Sequence, residues 1–230
     1  MPGNSTTPPA DGPVLRLALD GLVLDGTPIL GALSLELNRG ETLALVGPSG
    51  IGKTSLLRVI AGLERRYRGT RDAPAPIAMV FQEPTLLPWR TLTDNLTVTA
   101  RISRAAAATA LAEVGLAGRG GDFPGQLSLG QQRRVSLARA FALRPALLLM
   151  DEPFVSLDPD LVEEMMALFA KLRAAHRVTT LFVTHVEAEA RALASRIVTL
   201  GGRPATVTSD RQNRGAYFQL SASGVTSSRS

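Results

Sequence analysis

The chain contains no cysteine, which excludes disulfides and thiolate metal sites and fits a reducing compartment. No apolar run approaches the roughly 20 residues needed to span a bilayer. The first residues lack a basic segment followed by an apolar stretch, so no secretory signal is expected. Aromatic residues are only 4% of the total and the arginines are scattered. The net charge of +5 therefore reads as a solvated basic surface, and no direct nucleic-acid partner is expected. Lysine is nearly absent too: of 25 basic residues only Lys53 and Lys171 are lysines, so a lysine at a defined place carries information. What is present is 230 residues, 45% apolar, enough to bury the core of one large domain or two small lobes. Residues 1–13 and 221–230 are rich in Pro, Gly and Ser and are expected to be mobile.

The segment ETLALVG (41–47) is a short apolar run ending in glycine, and KTSLLRVIAGL (53–63) has apolar residues at helical spacing. Between strand and helix sits GPSGIGKT, which fits G-x-x-x-x-G-K-[ST] with Gly47, Gly52, Lys53 and Thr54. Glycine lets the backbone wrap phosphates closely. Lysine brings a point charge to the β and γ phosphates, and threonine supplies an oxygen to Mg²⁺.

A second strand, ALLLMDEP (146–153), is a continuous apolar run ending in two carboxylates, the pattern of a strand buried on both faces. Ligands of open parallel sheets bind at such strand ends. There Asp151 suits Mg²⁺, directly or through water, and Glu152 is placed to polarise an attacking water. A third buried-type strand, TTLFVTH (179–185), ends in His185, one of only two histidines. The alternation of strands and helices after an antiparallel portion (14–40) predicts an α/β sheet with crossovers. Helix-prone 101–118 and the helix after Ser128 lie between the phosphate loop and the acidic strand, as an inserted helical lobe would. That second helix opens on LSLGQQ. Ser128 and Gln131 have capping-box spacing, and the same helix start, with a serine and a glycine, also suits an anion.

Taken together, GPSGIGKT, Gln82 in MVFQEP, LSLGQQ, LLLMDEP, VSLD (155–158) and His185 in VTH make the chain resemble the ATP-binding cassette ATPases over about residues 14–205. The resemblance implies an α/β P-loop core with an N-terminal antiparallel portion and a helical subdomain inserted at about 85–140. Residues 206–230 would be a C-terminal extension, partly disordered. It implies that two copies, or this chain and a paired cassette, sandwich two ATP molecules. Lys53 and the loop residues Gly47, Pro48, Ser49, Gly50, Ile51 and Gly52, with Thr54 and Ser55, would bind phosphate. Thr54, Gln82 and Asp151 would serve Mg²⁺, Glu152 would be the general base and His185 would hold the γ-phosphate. Ser128, Gly130 and Gln131 would reach the partner's nucleotide, and Asp158 would link the two sites. Cap and anion site are then one structure.

Within the family, FQEPTLLPWRTLTDNL (81–96) is similar to the importer cassettes of the nitrate, sulfonate and taurine group. That implies transmembrane permease subunits as partners, a solute-binding protein indirectly, and a peripheral place on the cytoplasmic face of the inner membrane. Trp89, the only tryptophan, would lie at the groove that receives a permease helix or would pack the helical lobe. The interval from Lys53 to Gln82 is short for this group, which implies a trimmed β-hairpin.

Two positions depart from the family pattern. Leu129 stands where the signature usually has glycine, so it either crowds the phosphate approach or turns outward. No aromatic in 19–30 is present to stack adenine, and Leu24 would pack there instead. The competing readings are a non-transport cassette ATPase acting on nucleic acid or ribosomes, which usually has two fused cassettes or a long coiled-coil insertion, and a small-molecule P-loop kinase. The kinase reading leaves LSLGQQ and VSLD without a role.

Overall fold

Three apolar runs, Thr42–Val46 (β4), Leu147–Asp151 (β7) and Thr179–Val183 (β8), form the middle of a parallel sheet and are buried at nearly every position. The computed structural model describes residues 12–215. Ahead of β4 come β1 (Leu15–Leu24), β2 (Thr27–Leu30) and β3 (Leu33–Leu37). Along β1, Leu15, Leu17 and Leu19 are buried while the residues between them are exposed, the period-2 pattern of a sheet with one covered face. β2 and β3 pair with β1 along one edge, and β5 (Tyr67–Asp72) along the other, all antiparallel. β5 is the one strand between helix α1 (Lys53–Ala61) and β6 (Ile77–Val80).

The main sheet has the order β10-β9-β4-β8-β7-β6, where β9 is Arg196–Gly201 and β10 is Thr206–Gln212. The first seven residues of the C-terminal extension from 206 form the antiparallel edge strand β10. TVTSDRQ is polar and carries no buried-strand signal, yet an edge strand needs only one neighbour. An ion pair from Arg196 to Asp210 fastens the register. The tails expected to be mobile fall, apart from residues 12 and 13, outside the described residues.

Strand alternation divides the core. Leu43, Leu45, Leu147, Leu149, Leu181 and Val183 face the antiparallel sheet and α1. Ala44, Leu148, Met150 and Phe182 face the helices on the other side. Those helices are α2 (Leu92–Ala100), α3 (Arg104–Glu113), α4 (Leu129–Ala142), α5 (Pro159–His176) and α6 (Glu187–Leu193). Thr91 caps α2 and Ser103 caps α3 through their hydroxyls. Leu92 and Thr93 amides donate to the Asp122 and Gly120 carbonyls, which fixes the loop before α4 against the start of α2.

Register is what assembles the site. Leu45 pairs with Val183, and Val183 with Asp151. The loops after β4, β7 and β8 therefore leave the sheet at one level on its carboxyl edge, where parallel sheets bind ligands.

Candidate functional site

The phosphate loop leaves β4 through Gly47, whose φ is 152° and where a Cβ would lie 2.7 Å from the Leu200 carbonyl oxygen. No other residue fits that close approach. Lys53 opens α1 and is buried. Its ammonium donates to the Gly47 and Pro48 carbonyls at 2.8 and 2.9 Å and stands 4.0 Å from Glu152 Oε1. Burial pulls its pKa down, against the raising effect of the Glu152 and Asp151 charges. Thr54 Oγ1 donates to Asp151 Oδ1 at 3.1 Å. Burial raises the Asp151 pKa, the Thr54 hydrogen bond opposes this, and the neighbouring Glu152 charge adds to it.

Glu152 has a left-handed backbone, φ 45°, and its amide donates to the Val183 carbonyl at 3.1 Å. That turn directs the carboxylate out of the sheet edge, with Oε2 3.2 Å from His185 Nδ1. Lys53, Thr54, Asp151, Glu152 and His185 thus come together from three adjacent strands. A site with a buried lysine, one buried and one half-buried carboxylate and an imidazole can bind a polyphosphate and deprotonate a water beside it.

Other expected residues stand apart from this cluster. Gln82, just beyond β6, is exposed, and among the described residues the Thr54–Asp151 hydrogen bond does not include it. It lines a cleft of about 660 Å³ with Leu129, Ser156 and Arg133. Ser128 is the N-cap of α4, and its capping box with Gln131 is complete in both directions, at 3.3 and 3.1 Å. Gly130 is buried two residues past Ser128, where a Cβ would lie 2.7 Å from Leu161 Cδ2, so its small size helps seat α4 on α5. Leu129, between them, turns outward and is 45% exposed. Asp158 caps α5, its Oδ1 accepting from the Leu161 amide at 3.0 Å. Leu24 packs on the core cluster of the antiparallel sheet. Beside the loop tip a cleft of about 390 Å³ is lined by Thr27, Ile29, Gly50, Ile51 and Arg203, with no aromatic ring.

One participant was not legible in the sequence. Glu189, inside α6, is buried, accepts from Thr184 Oγ1 at 2.5 Å, and that same oxygen accepts from the Val186 amide at 3.0 Å. The two bonds close the turn that presents His185. Burial raises the Glu189 pKa, with the Thr184 hydrogen bond opposing. Within EAEARAL the residue looks like one of several solvated acids. The available signal was its position four residues past the histidine, on the helix face that also carries buried Leu193.

A family model described as ABC transporter matches residues 30–155. The aliphatic sulfonates import ATP-binding protein SsuB 3 of Paraburkholderia xenovorans is 48% identical over 75% of this chain and 70% of that protein. SsuB 1 of Pseudomonas syringae pv. syringae is 41% identical over 80% and 78% of the two. Among solved structures, the ATP-binding cassette MJ0796, described as dimeric in a post-hydrolysis state bound to ADP and Pi, superimposes with a TM-score of 0.74. It is 27% identical and covers 87% of this chain and 99% of that one.

Proposed function

The chain belongs to the ABC transporter family, and we propose that it is the ATP-hydrolysing subunit of a membrane importer for small sulfonate-like anions. The observation that carries this is the separation of two half-sites within one chain. Lys53, Thr54, Asp151, Glu152 and His185 gather on the sheet edge, while Ser128 and Gln131 head a helix in the other lobe, with no bond to that cluster among the described residues. A helix start with free amides beside a serine suits an anion, and a second copy would bring that anion to it.

In this reading Lys53 exchanges its two loop carbonyls for phosphate oxygens, and the amides of residues 50–55 surround the β-phosphate. Glu152, held by the Lys53 ammonium and His185, takes a proton from a water aligned on the γ-phosphorus. The water oxygen bonds to phosphorus, the bond to the bridging oxygen breaks, and ADP leaves with that electron pair. His185 donates to a γ-phosphate oxygen and stabilises the charge that spreads there. For Mg²⁺ the fit is good: Thr54 Oγ1 and Asp151 Oδ1 already converge within 3.1 Å, and Mg²⁺ takes few protein ligands and completes its shell with water and phosphate. When bound it would neutralise charge developing on the phosphates.

Partners follow from the surface. No helix among the described residues is long and apolar enough to cross a membrane; the likeness to import ATP-binding proteins supports separate permease subunits as partners, with the chain peripheral on their cytoplasmic side. Trp89 is 70% exposed and Phe123 44% exposed, and the Leu92–Asp122 backbone bond brings their segments together. The lobe therefore does not bury its tryptophan, and this apolar pair would receive a permease helix. The reading is tested by reconstituting the chain with the permease and binding protein of an alkanesulfonate importer in vesicles. ATP-driven sulfonate uptake that needs this chain is expected. Hydrolysis without any uptake would refute the importer role.

A further inference from the structure

Helix α4 grips the backbone of the loops around the site through one stripe of side chains at positions 133, 136 and 139. Ser136 Oγ donates to the Pro84 carbonyl at 2.7 Å, and the Arg139 guanidinium donates to the Thr85 carbonyl at 2.9 Å. Arg133 differs in what it holds. Its Nη1 donates to the Pro153 carbonyl at 2.6 Å and its Nη2 to the Val155 carbonyl at 2.5 Å. The residue is only 7% exposed, and its Nε has no partner. No carboxylate pairs with it among the described residues. A guanidinium without a counter-ion is costly to bury, and an apolar side chain could fill the same space, so packing alone does not account for it.

Its placement does. Pro153 and Val155 lie between two non-glycine residues with left-handed backbones, Glu152 at φ 45° and Ser156 at φ 61°. Such conformations persist only where the surroundings over-determine them. The planar fork of Arg133 holds the Pro153 and Val155 carbonyls at once in a fixed, in-plane geometry, whereas an ammonium on a flexible stem imposes no such plane. Arg133 also sits one turn and a half beyond Ser128, on the helix whose first turn carries the signature.

We propose that Arg133 is a positioning residue that fixes the Glu152–Ser156 segment to the signature helix, so that docking of the signature turn on a nucleotide sets the aim of the Glu152 carboxylate. The proposal rests on Glu152 being the base, and the experiment separates the two. ATPase kcat and KM, fluorescent-nucleotide Kd and melting temperature are measured for the full chain, Arg133→Met, Arg133→Lys and Glu152→Gln. For Arg133→Met, kcat is expected to fall at least tenfold with Kd within twofold of wild type. Arg133→Lys, which keeps the stem and charge but not the fork, is expected to lose about threefold or more in kcat, and it alone decides the matter if the methionine variant does not fold. If kcat and Kd worsen together, or kcat stays within twofold, the positioning role is wrong. If Glu152→Gln itself retains wild-type turnover, the assignment of the base fails instead.

Discussion

Replacing Glu152 with glutamine tests the chemistry at its centre. The amide keeps the shape of the carboxylate and removes only its charge and basicity. Folded stability should change little. Among the described residues the carboxylate accepts no backbone bond, its nearest polar neighbours are the Lys53 ammonium at 4.0 Å and His185 Nδ1 at 3.2 Å, and its loss also relieves repulsion with Asp151. Those effects oppose one another, so the melting temperature should stay within about 3 °C, equivalent to roughly 1 kcal/mol for a domain of this size. Nucleotide binding should hold or tighten, because a negative charge beside the phosphates disappears while Lys53 remains. Turnover is different. Removing a positioned general base costs about 10²–10⁴-fold, or roughly 3–5 kcal/mol of transition-state stabilisation. Phosphate release, single-turnover kinetics and light scattering with and without Mg²⁺ together read these quantities. The expected result is an ATP-dependent dimer that barely hydrolyses. Turnover within fivefold of wild type would refute the role given to Glu152. An inactive variant that binds ATP yet stays monomeric would show that Leu129, although turned outward, compromises the cross-subunit contact, or that closure requires the permease or a different partner cassette.

Gly130→Ala places a Cβ 2.7 Å from Leu161 Cδ2. Overpacking of about 1–3 kcal/mol, less the roughly 1 kcal/mol that alanine gains in a helix, should lower the melting temperature by a few degrees and weaken ATP-dependent dimerisation. A melting temperature at or above wild type would show that Leu161 yields freely. Trp89→Ala should leave the ATPase of the isolated chain within twofold, because the side chain is 70% exposed, while uptake in reconstituted vesicles falls at least tenfold; unchanged uptake would remove it from the docking surface. Glu189→Gln addresses pH. An acid whose pKa is raised by folding holds its proton more tightly in the native state, so its contribution to stability is full below about pH 4.5 and declines as pH rises through the raised value. The glutamine variant lacks that decline, so its stability relative to wild type should improve from about pH 4.5 upward and then level off. A pH-independent difference in chemical denaturation would contradict the burial argument.

The parts of the site legible in the sequence are those where backbone geometry restricts the residue. Gly47 is forced by its approach to Leu200, and LLLMDE by a strand covered on both faces and then a turn. The cap at Ser128 is equally local, since both of its hydrogen bonds close within three residues. What the sequence hid is non-local or polar. The strand order β4-β8-β7 joins segments more than a hundred residues apart, and no periodicity specifies which strands become neighbours. β10 escaped because a polar edge strand resembles a tail. Glu189 and Arg133 escaped because an acid in EAEARAL and an arginine in QQRR look like solvated helix faces until the fold buries them. Most buried polar groups are hydrogen-bonded, and here the bonds that two of them make hold loops of the site. Thr184 and Glu189 hold the turn that presents His185, and Arg133 holds the segment that presents Glu152. Glu152 and His185 are therefore supported from two sides by side chains outside their cluster. Variation at those supports should alter turnover before it alters nucleotide affinity.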